Sequence, residues 1–241
     1  MSWFRRATPL ATRMVYGQQA RNSCGIASVI MVNYLMKKAG LSPYLEANQL
    51  SGAYDDTYRS ERDVDAAYSQ VAGFSYNGTQ DTYIEQLTAV LNKLNIGRWQ
   101  QLSISSTDIS NKISNSCIGP RRVPIILLVN WRSGGGHFVV CDAASQSVIG
   151  VRADFCDPWD ASVHTLNIRR GDPLVYSAQK EAATTAHYYY DQSKQADFSG
   201  WAICRVDTSS VQGLPTSHMP ANRIAPGPTS SMRPGRSRQF G

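Results

Sequence analysis

Apolar residues in the first hundred positions recur at helical spacing; beyond about residue 123 they run in strand-length blocks. Ala27, Ile30, Met31 and Tyr34 fall at i, i+3, i+4 and i+7, one stripe of a helix from Ser23 to about Lys38. Ser23 or Asn22 can cap its start and Gly40 ends it. Shorter helices are expected over 44–52 and 60–72, with a turn at Asn77-Gly78-Thr79. Ile84, Leu87, Val90, Leu91 and Leu94 line one side of a helix from Thr82 to Asn95, which Gly97 stops. A strand over Trp99–Ile104 and a short helix over Thr107–Ser114 follow.

The second half reads as strands. Val123 to Trp131 is nearly continuous apolar sequence, as a buried strand requires. Ser133-Gly134-Gly135-Gly136 is a turn. Strands are then expected over 137–143, 148–155, 163–168 and 201–206. Helices first and antiparallel strands afterwards predict an α+β domain with segregated layers.

Composition sharpens this. With 241 residues, 42% of them hydrophobic, the chain can bury one full core. Residues 1–21 carry Arg5, Arg6, Arg13 and Arg21 and no acid; residues 206–241 carry Arg223, Arg233, Arg236 and Arg238 against Asp207. Removing those +4 and +3 from the net +6 leaves −1 for the middle (6 − 4 − 3 = −1). The basic character therefore belongs to the ends, which argues against nucleic acid as a partner. Three regions are expected: a flexible basic leader over 1–14, a folded domain over 15–207, and a disordered Ser/Pro/Arg-rich tail over 208–241. No apolar run reaches membrane-span length, and the N-terminus lacks the apolar core of a signal peptide. Five cysteines without a CxxC or a zinc-type Cys/His spacing suggest free thiols in a reduced compartment, and no metal or cofactor.

One cysteine stands out. Cys24 lies where a polar loop becomes an apolar helix, and Gly25 follows it. Helix N-termini stabilise anions, which favours a thiolate there. A lone cysteine is more often a small buried hydrophobe, so a partner is needed. His137 follows three glycines and opens a strand; His164, His187 and His218 have weaker contexts. A hairpin centred on Gln146 would pair His137 with Phe155. Asp157 would then be its diagonal neighbour on the same face, with Asp154 and Asp160 pointing away. Asp157-Pro158 reads equally as a turn. Gln18, six residues before Cys24, has an amide suited to binding an oxyanion, and Gln19 could compete.

Gln18, Cys24-Gly25, Pro124-Ile125-Ile126 to Trp131, Gly136-His137-Phe138-Val139-Val140 and Asp157-Pro158-Trp159, in this order, resemble the papain-like cysteine peptidase superfamily. The likeness is greatest to compact bacterial members: bacteriocin-leader peptidases and the type III effector proteases of plant pathogens. The resemblance implies a helical lobe carrying Cys24 as nucleophile and a β lobe carrying His137 as general base and acid. It also implies Asp157 as orienter and Gln18 as oxyanion donor. It implies a protein or peptide substrate and a soluble monomer. With no transporter segment, propeptide or signal evident, an effector delivered into a host cell and acting on host proteins is the expectation. The alternatives are a deamidase, isopeptidase or acyl/peptidyl transferase on the same site, and a non-enzymatic interaction module.

Overall fold

Alternation along the central strands sorts the apolar residues into two cores. The computed structural model describes residues 3–10, 12–38, 60–94, 96–119, 122–178 and 194–206. The helix expected over 44–52, His187, His218 and the segment 208–241 lie outside them. Within these residues the chain is α+β. Its elements are β1 (Trp3–Ala7), β2 (Thr12–Tyr16), α1 (Cys24–Lys38), α2 (Glu61–Ala72), α3 (Ile84–Lys93), β3 (Trp99–Ser103), α4 (Ile109–Cys117), β4 (Ile125–Trp131), β5 (Gly136–Ser147), β6 (Gly150–Asp157), β7 (Ser162–Arg169), β8 (Val175–Ala178) and β9 (Lys194–Arg205).

The large sheet runs β3-β9-β4-β5-β6-β7, with β8 paired to β9. Every one of these pairings is antiparallel. On β4 and β5, Ile126, Phe138 and Val140 face one core, which α1, α2 and α3 fill with Ile26, Ile30, Val64, Leu87 and Leu91. Ile125, Leu127, Val129, Val139 and Cys141 face the other, closed by Ile109, Ile113 and Cys117 of α4. Each fully buried Leu or Ile contributes about 1.5–3 kcal/mol relative to exposure, so the two faces lock the register of the central strands.

Three features depart from the sequence expectation. Within the leader expected over 1–14, the described residues 3–7 and 12–14 are strand: β1 and β2 form an antiparallel hairpin, with Trp3 opposite Tyr16 and Arg6 opposite Arg13. Met14, Val15 and Tyr16 are buried. Arg13 is buried too, 3.2 Å from both Asp142 and Asp154. These carboxylates, on β5 and β6, hold a guanidinium that the sequence groups with the basic N-terminal end.

Secondly, β8 was not anticipated. Thirdly, the β5–β6 turn is at Val148-Ile149, both exposed, rather than at Gln146. Their apolar character made them look like strand. Cys141 pairs with Phe155 and Val140 with Cys156, and the register shifts by one around Asp142. Phe155 therefore does not pair with His137. Continuing the Val140–Cys156 register puts Val139 level with Asp157 and His137 level with Trp159. The error is four residues, an even number, so Asp157 stays on the face of His137.

Candidate active site

The loop before α1 is closed by its own polar groups. Gln18 is buried, and its side-chain nitrogen donates to the carbonyls of Ala20 and Arg21, each at 2.9 Å. Its main-chain N–H donates to Pro158 O at 2.8 Å, joining this loop to the turn that follows Asp157. Ser23 sits at the start of the helix, but its hydroxyl turns back toward the loop. It accepts from Ala20 N–H at 3.1 Å and reaches Glu61 at 2.9 Å. The first N–H groups of α1, including that of Cys24, have no intrahelical acceptor. Gly25 allows the tight seat of α1 on α3: a Cβ there would lie 2.4 Å from Thr82 Oγ1 and 2.7 Å from Leu87 Cδ1.

His137 comes from the sheet. The Arg132–Gly135 turn folds back through Trp131 N–H to Gly135 O at 2.9 Å, with φ of 98° at Gly134 and 89° at Gly135. Those left-handed angles favour glycine. The turn sets His137 opposite Val129, and its ring stacks on Trp131 at 5.3 Å with an edge contact to Trp159 at 6.0 Å. His137 Nε2 lies 2.8 Å from Asp157 Oδ1. Cys24 lines the same cleft as His137 and lies near enough to help raise the pKa of the ring. Since Nε2 is engaged by Asp157, Nδ1 is the nitrogen left for the thiol.

Asp157 is fully buried. Trp159 N–H donates to its Oδ1 at 2.8 Å, so it is a turn residue and an imidazole partner at once. The Tyr176 hydroxyl donates to Oδ2. His164 Nε2 stands 4.0 Å from Oδ2 and 2.8 Å from Asp160 Oδ2. Asp160 is therefore beside the site rather than directed away, whereas Asp154 serves Arg13 and Thr165. Asp157, Asp160 and His164 have ligating atoms within 4.8 Å of one another, but these already bond to each other and to His137.

Charge follows from this packing. Burial alone would lower the pKa of His137. The charge and hydrogen bond of Asp157, with the Cys24 contact, outweigh it and push His137 up to about 10. Burial would raise Asp157, but His137 holds it below the usual carboxylate range. Cys24 is half-buried, while Cys117, Cys141, Cys156 and Cys204 are buried, and all five are free thiols.

Cys24 and His137 open on a cleft of about 650 Å³, walled by Trp131, Trp159, Trp201 and Tyr83. Trp99, by contrast, is core, and Tyr188 to Tyr190 lie outside the described residues. Gln18 is buried, is not among the residues that line the cleft, and has its amide hydrogens committed to the loop. Tyr176 and Trp201 carried no sequence signal: one reaches the site through β8, the other through β9.

The chain is thus an α+β protein with a cleft lined by Cys24 and His137, and with Asp157 hydrogen-bonded to the His137 imidazole. No family model and no curated protein matches its sequence. Among solved structures it is similar to the Pseudomonas avirulence protein AvrPphB, with 13% identity, 64% of this chain and 80% of that chain covered, and a TM-score of 0.32. None of the described helices is long and apolar enough to cross a membrane.

Proposed function

We propose that this chain is a papain-like cysteine peptidase acting on protein or peptide substrates. The observation that supports the reading is that Cys24 and His137 line one open cleft, with His137 Nε2 held 2.8 Å from buried Asp157. Cys24 transfers its proton to His137, and the sulfur attacks the scissile carbonyl carbon. The carbonyl π pair moves to oxygen. As the tetrahedral intermediate collapses, His137 delivers the proton to the leaving amine, and a thioester remains on Cys24. Water, deprotonated by His137, attacks that thioester; the carboxylic acid leaves and the thiol is restored. Asp157 fixes the ring and favours the imidazolium that both steps require.

The helix-start N–H of Cys24 supplies one oxyanion donor. Gln18 supplies the second by releasing one of its two loop carbonyls as substrate binds. The helices carrying Cys24 and the sheet carrying His137 and Asp157 act as the two lobes. The effector role expected from sequence belongs to this proposal and is tested in host cells by the proteome experiment below.

Mapping of iodoacetamide adducts tests the nucleophile. Cys24 should react far faster than the four buried cysteines, and uniform slow labelling would sink the catalytic reading. Product masses separate the chemistries. Peptide hydrolysis splits the substrate with the gain of one water. Deamidation leaves it whole, about one dalton heavier, and would replace peptidase by deamidase. New protein N-termini in host cells expressing the wild type, but not Cys24→Ala, would identify the substrates.

A further inference from the structure

Glu61 is a buried acid that the peptidase reading does not use. It opens α2, and only about 6% of its surface is exposed. Its Oε1 accepts the Gln19 main-chain N–H at 2.6 Å and lies 2.9 Å from Ser23 Oγ. Ser23 Oγ in turn receives the Ala20 N–H at 3.1 Å. One carboxyl oxygen thus gathers the turn that runs from Gln18 into Cys24. The Tyr76 hydroxyl adds a second tie from the same side, donating to Asn22 O at 3.0 Å.

We propose that Glu61 is a positioning residue for the nucleophile: its carboxyl clamps the Gln19–Ser23 turn onto α2 and thereby aims Cys24 at His137. The proposal rests on the peptidase reading for its purpose, but the clamp can be tested without a substrate.

Burying a carboxyl is costly, and an apolar residue could fill the first position of α2 without that penalty. What Glu61 supplies is one acceptor that ties both the Gln19 N–H and the Ser23 hydroxyl of the loop to α2. Burial pushes Glu61 up to about 7, against the pull of the Gln19 N–H and the Ser23 hydroxyl. Asp65, one turn further along α2, adds repulsion. The Tyr76 hydroxyl faces Asp65, Cys24 and Glu61. Whether ionised or neutral, the carboxyl keeps an oxygen that can accept. The oxygen therefore matters more than the charge, and Gln is its proper replacement.

The experiment compares wild type, Glu61→Gln, Glu61→Ala, Ser23→Ala and the Ser23→Ala/Glu61→Ala double variant. Two quantities are read: the rate of iodoacetamide addition to Cys24, and amide hydrogen exchange in the peptide spanning 16–27. Glu61→Ala should slow Cys24 labelling about tenfold or more, since small misplacements of a reacting atom cost that much, and should raise exchange in the peptide. Glu61→Gln should stay within about twofold of wild type on both readouts. Ser23→Ala should fall between, and the double variant should be no worse than Glu61→Ala, because both residues act through one bond. Wild-type labelling by Glu61→Ala, or loss in Glu61→Gln equal to that in Glu61→Ala, would overturn the proposal. If Glu61→Ala does not fold, Ser23→Ala with wild-type labelling and exchange overturns it instead. If wild-type Cys24 labels no faster than the buried cysteines, the peptidase reading falls. The clamp is then judged on exchange alone, where unchanged exchange in Glu61→Ala overturns it.

Discussion

His137 sits under three constraints: Trp131 against its face, Asp157 on Nε2 and Cys24 near it in the cleft. Removing it should abolish activity with the fold retained, as should Cys24→Ala; a peptide-cleavage assay with circular dichroism checks both. Asp157→Ala should leave a fraction of the activity, because its part is orientation, while stability falls as Tyr176 loses its acceptor. The raised pKa of His137 also predicts a pH dependence of stability. The folded protein holds this proton more tightly than the unfolded chain, whose histidine titrates near 6.5. Its contribution is therefore complete below pH 6.5 and is lost as pH rises through about 10. Asp157 runs the other way: its contribution is present above 3.8 and disappears as pH falls through its depressed folded value. Urea midpoints between pH 6.5 and 10 should decline in the wild type and stay flatter in His137→Ala.

At the scale of elements, the nucleophile depends on how α1 meets α3. Gly25 is small because Thr82 and Leu87 come too close for a Cβ. Gly25→Ala should force these elements apart and cost about 1–3 kcal/mol by overpacking, measured as a shift in the urea midpoint. It should also slow Cys24 labelling. The sheet contributes by parity. Val148 and Ile149 are apolar yet exposed, so the hairpin turn has the sequence pattern of a strand. An even register error still left His137 and Asp157 on one face. An odd error would have separated them, so this part of the site was legible through strand periodicity rather than through the turn.

At the scale of the whole molecule, the β1–β2 hairpin is tied to the body by Arg13 between Asp142 and Asp154. Arg13→Met should cost about 3–5 kcal/mol, since it leaves buried carboxylates without their cation. Chemical denaturation checks this, and a cost within error of zero would mean that the hairpin docks without help from this ion pair. Gln18 also acts at this scale. Its main chain bonds to Pro158 O, so the loop feeding the nucleophile and the turn following Asp157 are held as one piece.

Periodicity alone determined the helices around Cys24 and Leu87, the central strands, and the α+β class, because burial imposes periods of 3.6 and 2 that the order of apolar residues records directly. It also placed Cys24 at a helix start and His137 at a strand start. Only the tertiary structure decided that Arg13 is buried, that Ser23 serves Glu61 and the Ala20 N–H, and that Tyr176 and His164 surround Asp157. Those outcomes depend on partners distant in sequence: 19 residues separate Tyr176 from Asp157, 38 separate Ser23 from Glu61 and 141 separate Arg13 from Asp154. A polar side chain carries no mark of which distant group will satisfy it. Its partner is set when the packed faces bring the two within hydrogen-bonding distance.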